Sequence, residues 1–403
     1  MTSAPRLPLA GIRVIELGQL LAGPFTGTLL AYFGAEVIKV EPPGGDPIRG
    51  WRKLDEGGTS FWWRSLGRNK KCVTLDLKQP QGVALARQLM ESADVVIENF
   101  RPGTLENWGL GPEHFRDTHP GLIYARISGY GQTGPWAHKP GYASVCEGVG
   151  GFRHVNGFPG ERPVRPNLSM GDTLAGIHAA LGIMLALFER ERSGNGQVVD
   201  VALFESVFNL LEAIIPEYDG ADLVRGPSGS TVTGIVPTNT YLCADGRYVI
   251  IGGNGDSIFR RLMTAAGRAD MADDPALASN AGRVEQEAAI DDALSAWCAG
   301  LDSAQVLAVL EEARVPAGPI YSAADMMRDP HFQARGLFEQ VEINGKPLKI
   351  PAILPRLTGT PGRTNWPGPD VGAHNDEVLR DGLGLDDTTW QALRQAGVVG
   401  SGD

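Results

Sequence analysis

Five short runs rich in Val, Ile and Leu, at residues 13–17, 36–40, 72–77, 94–98 and 122–127, alternate with helix-length segments over roughly the first third of the chain. No other feature restricts the fold as much. Near-continuous apolar strands separated by helices build parallel sheets, because a parallel neighbour is reached only by a crossover that covers a sheet face. Residues 24–33 and 81–92 supply crossovers with helical apolar spacing, and Pro24 and Pro80 suit helix starts, where the missing N–H costs nothing. The chain therefore reads as an α/β fold with a mostly parallel sheet covered on both faces.

Residues 129–171 are then rich in Gly and Pro, which marks functional loops rather than another layer. An apolar helix over 173–192 closes at Ser193-Gly194-Asn195-Gly196 and leads into a strand over 198–202 and a helix over 205–215. Gly, Pro, Ser and Thr dominate residues 222–234, a linker signature. Beyond it, strand patterns at 240–241 and 247–251 and helical ones at 258–266, 284–299 and 303–313 form a smaller α+β unit, ending around 314–320 and Asp329-Pro330. Two packed units suit 403 residues, since one domain usually takes about 100–200.

The 36 basic and 47 acidic residues leave a net charge of −11, which argues against a nucleic-acid partner, because phosphate neutralisation needs a basic surface. Any anionic ligand must be met locally. Four cysteines at 72, 146, 243 and 298 have no C-x-x-C spacing and are too sparse for a disulfide framework, so a reducing cytoplasm is the expected home. Arg6 and Arg13 leave no apolar signal core at the start, and the stretch after Asp172 carries His178 and turns charged at Glu189. That stretch reads as a buried helix too short for a bilayer, with no membrane partner. Seven scattered histidines and no H-E-x-x-H pattern predict no metal site.

The first βα turn, Gly18-Gln19-Leu20-Leu21-Ala22-Gly23-Pro24, stands where α/β proteins bind phosphates, but it has neither G-x-G-x-x-G nor Gly-Lys-Ser/Thr. A nicotinamide or P-loop enzyme loses its support, and a plain packing turn stays open. Arg64, Arg68, Lys70 and Lys71 make a positive cluster suited to a phosphorylated ligand, with Trp62 and Trp63 beside it; a solvated charge run explains it equally. Asp172 precedes the apolar helix, where Asp is a favoured N-cap. The same position keeps a carboxylate ionised behind a glycine that permits close approach, as a carboxylate nucleophile requires. Gly252-Gly253-Asn254-Gly255 after a strand is either a turn or a mobile loop over a site.

In order along the chain stand Leu9-Ala10-Gly11-Ile12-Arg13-Val14-Ile15-Glu16-Leu17, Ala22-Gly23-Pro24, Gly34-Ala35-Glu36-Val37-Ile38-Lys39-Val40-Glu41, Asn69-Lys70-Lys71 with Leu75-Asp76-Leu77-Lys78, and Glu98-Asn99-Phe100-Arg101-Pro102-Gly103. Ser128-Gly129-Tyr130-Gly131-Gln132-Thr133-Gly134-Pro135, Gly171-Asp172, Gly194-Asn195-Gly196-Gln197, Pro316-Ala317-Gly318-Pro319 and Gly372-Ala373-His374-Asn375-Asp376-Glu377-Val378-Leu379 follow. Together they resemble the class III CoA-transferases of the CaiB/BaiF type, a family that includes formyl-CoA:oxalate, carnitine and succinate-dependent transferases and the acyl-CoA racemases.

The resemblance implies a Rossmann-like large domain from residues 1–222, a smaller domain with linkers at 223–330, and a tail at 331–403 returning to the large domain, in an interlocked homodimer. It implies an acyl-CoA and a free carboxylic acid as substrates and no tightly bound cofactor. CoA would be contacted by Gln19, Leu20, Leu21, Ala22, Leu75, Lys78, Asn99, Phe100, Arg101, Lys139 and Tyr142, with Arg68 and Lys71 near its phosphates. Where some relatives have Arg after the second strand's Glu, this chain has Pro42. Asp172 would attack the donor thioester and carry the acyl group as a mixed anhydride. A racemase of the same family would need a His facing Asp172, and the aligned segment is Gly141-Tyr142-Ala143; a silent CoA-binding protein would not need Gly171-Asp172. Pro163-Val164-Arg165-Pro166 resembles a segment of transferases that use succinyl-CoA and dicarboxylates, so Arg165 is a candidate for the acceptor, with Gly252, Gly253 and Asn254 as a candidate active-site loop.

Overall fold

The computed structural model describes residues 6–400. Six strands, β1 (Arg13–Glu16), β2 (Glu36–Glu41), β3 (Lys70–Thr74), β4 (Val95–Glu98), β5 (Ile123–Ser128) and β6 (Val198–Ala202), form one sheet in the order β3-β2-β1-β4-β5-β6. Every pairing is parallel. The helices that matter for the site are α1 (Ala22–Tyr32), α2 (Pro80–Glu91), α3 (Ala143–Val149), α4 (Met170–Ser193) and α5 (Leu203–Phe208). Strand alternation splits the core: Ile15, Ile38, Val73 and Val96 face Leu85, Leu89, Trp390 and Val398, while Val14, Val37, Val95 and Ile123 face Leu30, Ala175, Ala179 and Ile183.

Two compact units emerge. One takes in the described residues of Met1–Phe152, Pro166–Leu211, and the described residues of Ala334–Asp403. The other comprises Arg153–Arg165 and Glu212–Gln333. Its sheet runs β7 (Thr238–Leu242), β8 (Tyr248–Gly252), β9 (Ala317–Pro319), all antiparallel, and buries Val249 and Ile251 against Phe259, Leu262, Ile290, Leu294, Val306 and Leu310.

Several expectations shift. The third strand begins at Lys70 rather than residue 72 and ends at Thr74, because Lys70 is fully buried against Glu16 and no longer costs an unpaired charge. The helix expected over 205–215 breaks after Phe208 and resumes as Ile214–Ala221. A hairpin, β10 (Phe338–Ile343) with β11 (Lys346–Pro351), was not apparent in the pattern. The apolar helix α4 is 24 residues long, enough by length and composition to cross a membrane, and it is not buried all round. It packs Ala175, Ala179, Ile183 and Ala186 toward the sheet and leaves Ile177, Leu181, Leu185 and Phe188 exposed.

Candidate active site

An open parallel sheet whose strand order reverses between β1 and β4 leaves a crevice at the carboxyl ends of those strands, where ligands of such folds bind. The turn after β1 carries Gln19, Leu20, Leu21 and Ala22; Asn99, Phe100 and Arg101 follow β4, and Leu75 and Lys78 follow β3. These candidate residues thus emerge from the same edge of the sheet, although they are spread along the chain from Gln19 to Arg101.

The first turn is pinned from beneath. Lys39 Nζ donates to the Gly18 carbonyl at 2.6 Å, and Asn99 both accepts from Gln19 N–H and donates to the Gln19 carbonyl at 2.8 Å. Both Asp46 oxygens accept from Leu20 N–H at 3.1 Å, and Leu20 has φ 64°, unusual for a residue with a side chain. Glu16, Lys39, Asp46 and Lys70 lie wholly buried as two acids and two bases, with Lys39 3.1 Å from Glu16 and 2.9 Å from Asp46, and Lys70 2.8 Å from Glu16. Burial alone would lower the Lys39 ammonium, but Asp46 and Glu16 together hold it above its ordinary value. Asn99 therefore spends its amide on the turn. Neighbouring Glu98 is buried, and burial pushes its carboxyl up to about 7 against the pull of Arg126 2.7 Å away.

Asp172 is not the helix N-cap. Ser169 caps α4, and Asp172 sits in its first turn, half-buried, where the positive end of the helix still favours a carboxylate. Two glycines draw neighbours close to it. A Cβ on Gly171 would lie 3.2 Å from Ala143 Cβ, and one on Gly176 would lie 2.9 Å from Phe25 and 3.1 Å from the Ala22 carbonyl oxygen. Gly176 is one helical turn beyond Asp172 and Ala22 directly follows the pinned turn, so the start of α1 and the start of α4 meet. Thr26 ties them, donating to the carbonyls of Ala22 at 2.9 Å and Gly176 at 3.2 Å. Behind Asp172 lie buried Cys146 and Glu147; burial, then the charges of Asp172 and Glu147, push the Cys146 thiol up to about 11. Tyr142, at the head of α3 beside Gly171, is 72 % exposed.

The expected positive cluster is not a positive surface. Arg68 is buried and donates to Ser65 O at 2.6 Å and Pro351 O at 2.7 Å, with Glu339 3.5 Å away. Arg64 pairs with Asp55 and Asp370, and Lys71 bridges Glu36 at 2.8 Å and Glu377 at 2.7 Å. Sequence proximity put these bases together, and acids from distant segments neutralise them. Trp63 is buried under Arg49, and Trp62 carries Arg52 over its ring. Leu75 is in the core, whereas Lys78, Arg101 and Lys139 are exposed, Lys139 with its ammonium 3.9 Å from the Trp136 ring centre.

Arg165 and the Gly252–Asn254 segment belong to the other unit. Arg165 is exposed; Gly252 and Gly253 donate to the carbonyls of Pro316 and Pro237 at 2.9 Å, and buried Arg283 holds the Asn254 carbonyl at 2.7 Å. Asp46, Lys39, Glu98 and Glu147 went unnoticed in the sequence. A lysine inside the apolar strand 36–41 was the available signal, since a charge there must find a buried partner.

Residues 9–375 match the family model described as CoA-transferase family III. Succinyl-CoA--D-citramalate CoA-transferase of Chloroflexus aurantiacus is 46% identical over 397 residues, covering 98% of this chain and 99% of that protein. Succinate--glutarate CoA-transferase of Agrobacterium fabrum is 37% identical over 396 residues, covering 94% and 98% respectively. Among solved structures, a CAIB/BAIF family protein from Brucella suis superposes with a TM-score of 0.82 at 34% identity, covering 94% of this chain and all of that one.

Proposed function

Because this chain belongs to CoA-transferase family III, we propose that it moves CoA from succinyl-CoA to a short dicarboxylic acid, with Asp172 as the covalent carrier. CoA transfer from a donor thioester to a free carboxylic acid is the family's activity. The succinyl donor and dicarboxylate acceptor rest on the names of these relatives.

One observation carries the mechanism: Asp172 stands in the first turn of α4, directly after Gly171 and one helical turn before Gly176, which packs on Ala22 at the end of the pinned turn after β1. An Asp172 oxygen attacks the thioester carbonyl, the C–S bond breaks, and CoA leaves as thiolate, giving an acyl-aspartyl anhydride. The thiolate attacks the aspartyl carbonyl, releasing the donor acid and leaving an aspartyl thioester. The acceptor carboxylate displaces CoA from that thioester, and the returning thiolate takes the acceptor acyl group, freeing Asp172. Each bond made replaces one of similar energy, so no step requires carboxylate and thioester to exchange in one event. CoA lies along Gln19, Leu20, Phe100 and Tyr142, and the exposed Lys78, Arg101 and Lys139 replace Arg68 and Lys71 as candidates for its phosphates.

Tyr142 where a racemase has His, and Ala143 against Gly171, leave no second base in that segment to return a proton to the opposite face. The Rossmann-like reading of the large domain is supported by the strand order. A second copy of the chain covers the exposed stripe Ile177, Leu181, Leu185 and Phe188, making the homodimer. Four buried, free cysteines suit the cytoplasm. The test is product identification by mass spectrometry after incubation with succinyl-, acetyl- and butyryl-CoA against mono- and dicarboxylic acids. Succinyl-CoA with a short dicarboxylate should give the fastest exchange; preference for acetyl-CoA and a monocarboxylate would overturn the assignment.

A further inference from the structure

We propose that Asp46 is a positioning residue for the transfer reaction, acting through the turn at Gln19 and Leu20. The inference rests on the reading that this turn faces the substrate. Within the turn, Leu17, Gly18, Leu21 and Ala22 are buried, and only Gln19 and Leu20 are partly open. Those two are the residues whose backbone is tied down. Gln19 N–H and C=O are both taken by Asn99, and Leu20 N–H by both oxygens of Asp46.

This has a chemical consequence. Neither N–H is left to receive a phosphate or an oxyanion, so what the turn offers a substrate is the Gln19 amide and the contour of Leu20, and their placement is set by the backbone. Leu20 at φ 64° is in a conformation that a leucine leaves readily unless held. Asp46 holds it, and the same carboxylate accepts from Ile48 N–H at 3.0 Å, which fixes Asp46 itself. Lys39, 2.9 Å from Asp46 and 2.6 Å from the Gly18 carbonyl, ties the carboxylate to the other end of the turn. A carboxylate with no exposed surface thus links two backbone N–H groups and one ammonium. Its neutrality is completed by Glu16 and Lys70, and Lys70 also donates to the Pro24 carbonyl at 2.5 Å, inside the first turn of α1. The lattice therefore reaches from the turn to the helix that meets α4 at Gly176.

The experiment is a double-mutant cycle between Asp46→Asn and Gln19→Ala, read as kcat and KM for succinyl-CoA on protein shown to be folded by circular dichroism. Asparagine keeps the shape and one acceptor oxygen but loses the charge. The expected result is a fall in kcat/KM of at least tenfold for Asp46→Asn, with Gln19→Ala costing much less in that background than alone, because a displaced turn has already lost its amide contact. A purely structural role would leave the kinetics of the folded fraction at wild-type values, and that outcome overturns the proposal, as does full multiplicativity of the two effects. Wild-type kinetics in Gln19→Ala alone would instead overturn the reading of the turn as substrate-facing. If Asp46→Asn does not accumulate folded, Asp46→Glu keeps the buried charge while displacing the oxygens that hold Leu20 N–H. It should lower kcat/KM at least threefold, and unchanged kinetics there overturn the proposal.

Discussion

Replacing Asp172 by Asn separates chemistry from architecture at one atom. The amide is isosteric with the carboxylate, and the position is in the first turn of a 24-residue helix that Ser169 caps, so the backbone start of α4 is untouched. One attraction lost is that between the half-buried charge and the positive helix end, about 0.3–1 kcal/mol. That attraction by itself corresponds to a melting shift of at most about 2–4 °C in a chain this large. What catalysis loses is the nucleophile. Deleting a covalent nucleophile elsewhere costs about 10⁶-fold in kcat, so a fall of at least about 10⁴-fold is expected here. Acyl-CoA affinity, carried by the turn and the exposed bases, should stay within about threefold, since those contacts do not involve the reacting oxygen. The assays are label exchange between succinyl-CoA and free dicarboxylate, thermal unfolding, and calorimetric binding of CoA. In the wild-type protein, succinyl-CoA with hydroxylamine should convert Asp172 to a hydroxamate detectable in its peptide; the variant should give none. If Asp172 served only to favour the helix start, Asn would serve nearly as well and activity would survive. Near-native exchange by Asp172→Asn refutes the mechanism.

Arg68→Ala should lower stability by about 3 kcal/mol in urea unfolding, because it strands the Ser65 and Pro351 carbonyls and Glu339; unchanged stability with a raised KM for acyl-CoA would contradict the placement. Glu98, its folded carboxyl raised from 4.5 to about 7, binds more protons folded than unfolded between those values, so its contribution to stability is best below pH 4.5 and is lost as pH rises to about 7. Stability of the wild type relative to Glu98→Gln should accordingly fall by about 3 kcal/mol across that window, and a flat difference would contradict it. If the proposed homodimer is interlocked, its mass should hold on dilution to nanomolar, because threaded chains cannot part without unfolding; a monomer by mass photometry would contradict the interlocked assembly.

The alternation of apolar strands with helices was legible because strand and helix periodicities are local, and it yielded six parallel strands with boundaries off by up to three residues. The place of Asp172 near the start of a long apolar helix was legible too, through the apolar run behind it. Its rank in the helix was not, since the helix start at Met170 depends on how Gly171 packs against Ala143. Charge is where sequence proximity misleads. Arg64, Arg68, Lys70 and Lys71 are near neighbours along the chain, yet their partners are Asp370, Glu339, Glu16 and Glu377, segments that only the returning tail and the sheet bring to them. Lys39 and Asp46 pass in the sequence for an odd strand residue and a turn residue, and become a buried pair only when β2 is laid beside β1. Local propensity writes the elements, but a buried charge is tolerated only where an opposite one arrives, and that is decided by which strands pair and which loops return across them.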